Sequence, residues 1–301
     1  MPKRLKIEAI VPAAGLGRRL KGDIAKPLVS ISGSPIIIRT LKVLNAHPQV
    51  SKIIVLSHKK DLRAIQKLIS KNKIHKVKNI VEGGVRRRDS VAIGLKFISR
   101  DTDFVLIHDA ARPFVNKKII SKVISSAVVF GASVAGVRLK PTIKKIKLNN
   151  GFGCRLPNHR PLAYGFGCRL PNHRPLAYGF GCRLPNHRPL AYGFGCRLPN
   201  HRFPACKKNH AFVIEKTLDR ENIWEIQTPQ VFKKDLILKA HKRFKKIAAT
   251  DDACLVEKLG ESVSVVEGSY FNIKVTTPED LVFAKAIVNY QKFKRGKRCI
   301  A

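Results

Sequence analysis

The chain has 301 residues, 44% of them hydrophobic, with 59 Lys+Arg against 20 Asp+Glu and a formal net charge of +39. That hydrophobic content suits a folded core and excludes a polar disordered chain, and no run of about 18 uninterrupted apolar residues is present to cross a membrane. The positive excess leaves nucleic acid, an anionic surface or phosphorylated substrates as partner classes, but its even spread, without an arginine-rich tail, is the pattern of a solvated surface and argues against nucleic acid.

Met1 to Lys6 runs directly into a strand and a glycine loop, which leaves no room for a signal peptide and makes a cytoplasmic location the expectation. Of seven cysteines, four are copies of one repeat position and Cys206, Cys254 and Cys299 have no Cys-x-x-Cys partner, so all are expected as reduced thiols.

In chain order, the apolar run from Ile7 to Val11 reads as a buried strand ending in Val11-Pro12-Ala13-Ala14-Gly15-Leu16-Gly17-Arg18-Arg19, with Lys21 and Lys26 following. Gly15 and Gly17 let backbone amides approach a ligand, and the cations beside them suit a nucleoside-triphosphate cradle. Gly-x-Gly after a strand is also the mark of a plain strand-turn, and its spacing matches neither the dinucleotide nor the P-loop signature. Residues 35–44 read as a helix, 52–56 as a strand, 62–70 as a helix and 76–81 as a strand. Such β-α alternation predicts a mostly parallel sheet covered on both faces, with ligands outside the carboxyl ends of its strands.

Two later loops fit that edge. Glu82-Gly83-Gly84-Val85-Arg86-Arg87-Arg88-Asp89-Ser90 leads into a helix expected to start near Asp89 or Ser90; either could simply cap it, while Gly83, Gly84 and Ser90 could receive a flat base. A fully apolar strand from Phe104 ends in His108-Asp109-Ala110-Ala111-Arg112-Pro113. Asp109 is placed to serve Mg²⁺ held with substrate phosphates, and Arg112 to fork onto a phosphate. His108 suits a structural or a catalytic histidine equally, and no role is assigned to it.

Residues 151–164 recur without change at 165–178 and 179–192, and in part at 193–202. Proline and glycine in every unit break helix and strand patterns, and fourteen residues is short for a helical solenoid unit. Each copy sets Cys and His five apart, unlike known zinc spacings, and its arginines and aromatics offer at most weak nucleic-acid contacts. An in-frame duplication forming a mobile loop is the favoured reading. Further on, Asp251 reads as a second acidic ligand or as a helix first-turn charge, and Thr277-Pro278-Glu279-Asp280 as a helix start with a periodic run through Ile287 before a basic tail.

The glycine loop with Lys26, the Gly83–Ser90 stretch and the His108–Pro113 stretch, in this order and spacing, resemble the 2-C-methyl-D-erythritol 4-phosphate cytidylyltransferase family of sugar-phosphate nucleotidyltransferases. Pro141-Thr142-Ile143-Lys144, Thr217-Leu218-Asp219-Arg220, Gln227-Thr228-Pro229-Gln230, Thr250-Asp251-Asp252-Ala253 and Asn272-Ile273-Lys274-Val275-Thr276 extend the resemblance over 7–148 and roughly 209–290. The chain departs from the family in having Ala25-Lys26-Pro27 where Pro-Lys-Gln is usual, and in its repeats.

The resemblance implies an α/β, Rossmann-like, mostly parallel twisted sheet in one nucleotidyltransferase domain over 1–301. It also implies a β-arm over 143–220, interrupted by the repeats at 151–202, that clasps a second copy in a homodimer. The implied reaction moves CMP from CTP to methylerythritol phosphate with Mg²⁺ as cofactor. Arg19, Lys26 and Lys274 would be catalytic, and Ala13, Ala14, Gly15, Gly83, Gly84 and Ser90 would bind nucleotide. Asp109, Arg112, Thr142 and the partner-serving Arg220 would bind the acceptor, with Asp109 also the metal residue. Two alternatives stand beside it: a ribitol-5-phosphate cytidylyltransferase, and a non-catalytic basic binding protein on the same fold.

Overall fold

The computed structural model of the chain describes residues 5–14, 25–149, 197–198, 201–202, 211–245 and 247–297. Two compact units result, one of Met1–Leu139 with Asn222–Ala301 and one of Lys140–Glu221. The first opens with β1 (Ile7–Pro12), the short hairpin of β2 (Ser30–Ile31) and β3 (Ser34–Pro35), α1 (Ile36–Asn45), β4 (Val50–Ser57), α2 (Leu62–Lys71) and β5 (Val77–Glu82). It continues through α3 (Arg87–Leu95), β6 (Phe104–Ile107), α4 (Lys117–Phe130) and β7 (Ala132–Arg138). The second unit holds β8 (Ile143–Asn149), β9 (Arg197–Leu198), β10 (His201–Arg202) and β11 (Ala211–Leu218). The first then resumes with β12 (Trp224–Lys233), α5 (Lys234–Arg243), α6 (Ala253–Glu257), β13 (Ser264–Glu267) and α7 (Pro278–Lys297).

Seven strands of the first unit form one sheet in the order β13-β7-β12-β6-β1-β4-β5. All neighbouring pairs are parallel except those of β12, which runs against both β6 and β7. The expected mostly parallel α/β sheet is therefore present, with one antiparallel strand inside it. Alternation along the strands feeds two cores. Ile7, Ala9, Val11, Ile53 and Val55 pack with α1, α2 and α4 on one face, while Ile10, Ile54, Leu56, Val105 and Ile107 pack with α3, α5 and α6 on the other. Because both faces are covered, the central strands read as continuous apolar runs.

Helix ends follow from local chemistry. Asn116 caps α4 by accepting the Ile119 amide at 2.9 Å, and Gly131, at φ +81°, closes it in the left-handed conformation that disfavours a side chain. The elements expected over 35–44, 52–56, 62–70 and 76–81 are present within two residues of those bounds. Two expectations move. α3 begins at Arg87, not at Asp89 or Ser90, because Asp89 sits one turn in and reaches back to the Arg86 amide at 3.3 Å. α7 runs past Ile287 to Lys297, so the basic residues expected as a tail continue the helix through Lys297.

In the second unit β8 and β11 pair antiparallel, with Ile146 opposite Ile214 and Leu148 opposite Phe212. β9 and β10 form a second antiparallel pair. Apart from those two strands, the repeats and their expected mobility lie outside the described residues.

Candidate active site

The carboxyl edge of the sheet brings three loops together. The Ala13 amide donates to the Leu56 carbonyl at 2.6 Å, the Gly83 amide to that of Ser57 at 2.8 Å and the Ala110 amide to that of Pro12 at 3.3 Å. Each ladder thus extends just beyond its strand and delivers Ala13 and Ala14, Gly84 and Asp109 to one cleft of about 130 Å³. The two glycines are required by proximity. A Cβ on Gly83 would stand 2.5 Å from the Ala14 Cβ, and one on Gly84 2.5 Å from that of Asp89.

Lys26, Arg86, Arg87 and Lys274 line this cleft with Asp109 as the one acid among its described lining residues. Such an excess of fixed cations recognises a polyanion. Asp109 is buried, with Oδ1 accepting from Arg87 Nε at 2.8 Å and Oδ2 paired with Lys274 Nζ at 2.6 Å. Burial by itself would raise its pKa, but the charges of Arg87 and Lys274 hold the carboxyl well below its ordinary range. Arg87 in turn donates through NH1 to Asp252 Oδ2 at 2.6 Å, and His241 Nε2 lies 3.0 Å from Asp252 Oδ1. Burial works against the charge on Arg87, yet Asp109 and Asp252 raise its pKa above the ordinary value.

Lys274 lies in the segment between β13 and α7, fixed from three directions. The Val275 amide donates to the Ala111 carbonyl at 2.9 Å, Asn272 Nδ2 to the Thr228 carbonyl at 2.9 Å, and Arg112 NH1 to the Asn272 carbonyl at 2.7 Å. Arg112, expected at the acceptor phosphate, has a structural contact here. Its side chain is buried, is absent from the described lining of the cleft, and is directed at backbone carbonyls, so it ties the loop after β6 to the Lys274 segment. Burial lowers its guanidinium pKa from the ordinary value.

His108, fully buried between Thr228 Oγ1 at 3.0 Å and the Arg112 carbonyl at 3.1 Å, is a structural histidine. Burial pushes its pKa down to about 4. Asp251 is likewise structural: its carboxylate accepts the Cys254 amide at 3.0 Å at the start of α6 and the Gln230 side-chain amide at 2.7 Å.

The structure therefore brings together Ala13, Ala14, Lys26, Gly84, Ser90, Asp109 and Lys274 around the cleft, with Gly83 packed against Ala14 and Ser90 behind it. Gly15 and Arg19 lie outside the described residues. Thr142 and Arg220 are exposed on the second unit, where Arg220 donates to the Lys140 carbonyl. Arg87, Asp252, His241 and Thr228 carry no expectation from the sequence, although three were visible within quoted segments; only the pairing of Asp109 with a cation from the Arg86-Arg87-Arg88 run would have singled one out.

Among the described residues the donors do not make up a site for a resident metal. No cluster of three or more His, Cys, Asp or Glu side chains could hold an ion among the described residues. Both oxygens of Asp109 already face cations. Nor is any helix of the described residues long and apolar enough to cross a membrane.

Residues 7–152 and 205–290 match the profile of 2-C-methyl-D-erythritol 4-phosphate cytidylyltransferase. The chain is 33% identical over 286 residues to the protein of that name from Geobacillus thermodenitrificans strain NG80-2, covering 94% of this chain and 97% of that one. It is 34% identical to the namesake from Lysinibacillus sphaericus strain C3-41, over 94% and 96% of the two. Among solved structures it resembles 4-diphosphocytidyl-2C-methyl-D-erythritol synthase from Anaerococcus prevotii DSM 20548, with a TM-score of 0.65, 24% identity and coverage of 95% and 96%. It also resembles the Francisella tularensis 2-C-methyl-D-erythritol 4-phosphate cytidylyltransferase, with a TM-score of 0.58, 25% identity and coverage of 93% and 98%.

Proposed function

This chain belongs to the 2-C-methyl-D-erythritol 4-phosphate cytidylyltransferase family, and from that premise we propose how its cleft performs the reaction. The enzyme transfers a cytidylyl group from CTP to 2-C-methyl-D-erythritol 4-phosphate and releases pyrophosphate. An oxygen of the acceptor phosphate attacks the α-phosphorus, the bond from that phosphorus to the β-phosphate oxygen breaks, and the electron pair leaves with pyrophosphate. The acceptor is a phosphate monoester with a second pKa of about 6, already dianionic at neutral pH, so the attack needs no general base. The task is to hold two polyanions in line and to stabilise the charge that develops between them.

The observation that carries the assignment is the row of four cations around a single carboxylate in the cleft. Lys26, with Arg19, is proposed to hold the triphosphate and the leaving pyrophosphate, and Lys274 to meet the α-phosphate. Ala13, Ala14, Gly15, Gly83, Gly84 and Ser90 form the proposed nucleotide pocket. Asp109 is proposed to set the position of Lys274 and to meet an acceptor hydroxyl. Mg²⁺ enters as part of the substrate, as the counter-ion of the CTP phosphates. Thr142 and Arg220 are proposed as acceptor-phosphate residues on the family resemblance alone, with Arg220 serving a second copy of the chain.

That second copy has separate support. Ile146, Leu148, Phe212 and Ile214 are all at least half exposed and pair across one face of the β8–β11 ribbon. A two-stranded ribbon with a bare apolar face is marginal in water by itself and suits burial against a partner.

The deciding experiment is pyrophosphate release by the purified protein with CTP and Mg²⁺, run in parallel with methylerythritol phosphate and ribitol 5-phosphate. Release with the first alone supports the proposal. Release with ribitol 5-phosphate alone reassigns the acceptor, and release with neither, from folded protein, moves the chain to the non-catalytic reading.

A further inference from the structure

A chain of side-chain contacts runs from α5 into the cleft. His241 Nε2 lies 3.0 Å from Asp252 Oδ1, Asp252 Oδ2 accepts from Arg87 NH1 at 2.6 Å, Arg87 Nε donates to Asp109 Oδ1 at 2.8 Å, and Asp109 Oδ2 pairs with Lys274 Nζ at 2.6 Å. Asp252 is fully buried and is absent from the described lining of the cleft, so no ligand there explains its charge. A buried carboxylate is costly unless it is paired, and its partner stands 165 positions away in the sequence.

The geometry gives that cost a purpose. Arg87 lines a cleft built for phosphates, and a guanidinium free to turn would fork onto one. Asp252 holds NH1 from behind, which directs the Nε edge at Asp109 and leaves NH2 buried without a partner. Arg87 is thereby kept as a scaffold. With one oxygen of Asp109 fixed by that scaffold, the other presents a single place for the Lys274 ammonium. We infer that Asp252 is a positioning residue for the transfer, setting Lys274 through Arg87 and Asp109; this rests on the cytidylyltransferase reading and adds to it a residue that touches no substrate.

Two effects of removing the Asp252 charge have opposite signs. A general electrostatic effect makes the cleft more positive and favours CTP binding. A positioning effect displaces Lys274 from where charge develops, which slows the chemical step without weakening ground-state binding. Positioning therefore predicts a lower kcat with a KM for CTP that is unchanged or lower.

The test is Asp252→Asn, which keeps shape and an acceptor oxygen but removes the charge. We expect kcat to fall about 10- to 100-fold, with no rise in KM for CTP. In an Asp109→Asn background the same substitution should add less than about twofold, because the path to Lys274 is already cut. A readout independent of turnover is the ¹H–¹⁵N signal of Arg87 Nε–H in the ligand-free protein, assigned with Arg87→Gln and expected to move in Asp252→Asn. If that variant does not fold, His241→Leu, which leaves Asp252 only its arginine, is expected to lower kcat about threefold and to move the same signal. A folded Asp252→Asn protein with kcat within about twofold of wild type, or an unmoved Arg87 signal in either variant, overturns the inference. Wild-type protein that releases no pyrophosphate would sink the reaction assignment instead, and the Arg87 signal would still decide the positioning.

Discussion

Nδ1 of His108 lies 3.0 Å from the hydroxyl of Thr228, and the proton between them belongs to the threonine. Nε2 of the same ring faces the Arg112 carbonyl, which can only accept, so Nε2 carries the ring proton and Nδ1 must accept. Thr228 Oγ1 also accepts the Asp109 amide at 3.1 Å. A neutral imidazole thus fastens the end of β6 to β12 directly beneath the Asp109 carboxylate.

A pH dependence follows from that neutrality. The unfolded histidine takes up a proton near pH 6.5, whereas the folded one resists until about 4. The stability gained from the neutral ring is fully present above 6.5 and is lost as pH falls from 6.5 to 4, by about 3 kcal/mol in all. His47, whose pKa burial also lowers, adds a change of the same sign. Asp109, held low by its cations, adds its own loss only below the ordinary carboxylate range. Urea unfolding between pH 7 and 4.5 should show this loss in wild type and a flatter profile in His108→Gln; parallel profiles would contradict the assignment.

Lys26→Ala and Lys274→Ala are each expected to lower turnover by about a hundredfold or more, the usual effect of losing one preorganised charge contact to a transition state. Steady-state pyrophosphate release measures both. Near-normal release from folded Lys26→Ala protein would remove that residue from the proposed machinery.

Gly83→Ala places a methyl 2.5 Å from the Ala14 Cβ and 2.8 Å from the Ser90 hydroxyl. Overpacking of this kind costs about 1–3 kcal/mol. Because Ala14 and Ser90 line the cleft, the substitution should also raise the KM for CTP, measurable by initial rates, while thermal unfolding reports the strain.

Arg112→Met separates two roles for that residue. As a tie between carbonyls it should, when removed, lower stability by about 1–3 kcal/mol, since the Asn272 carbonyl loses its donor inside the fold. As a phosphate ligand it would raise the KM for the acceptor at unchanged stability. Chemical denaturation and acceptor titration together distinguish the two, and the buried geometry predicts the first outcome.

Much of this was legible in the sequence because periodicity and turn chemistry are local. The continuous apolar runs at 7–11 and 104–107 mark central strands covered on both faces, and each hands its loop to the same edge of the sheet. Ala14, Gly83 and Asp109 could therefore be placed near one another before any coordinates. What stayed hidden is the side-chain pairing across the sheet. Asp252 and Arg87 lie in quoted segments, but nothing in either segment says that the carboxylate of one faces the guanidinium of the other. The tie made by Arg112 was hidden for the same reason: an arginine after a strand end is equally suited to a phosphate and to a carbonyl, and its bond to the Asn272 carbonyl depends on the return of that segment. The antiparallel course of β12 was hidden too, since no local pattern tells a strand which of two gaps it will enter.

That course of β12 also bears on how the enzyme is made. β6 and β7 leave the ribosome as neighbours in sequence, yet the place between them belongs to β12, which follows the whole of residues 140–221. Until then the sheet has an open slot, and Thr228 is not yet beneath Asp109. Translation adds about 5–20 residues per second, so each fourteen-residue repeat lengthens that wait by about one to three seconds. The repeats therefore lengthen the interval during which the nascent chain exposes two unpaired strand edges to chaperones and to its own neighbours.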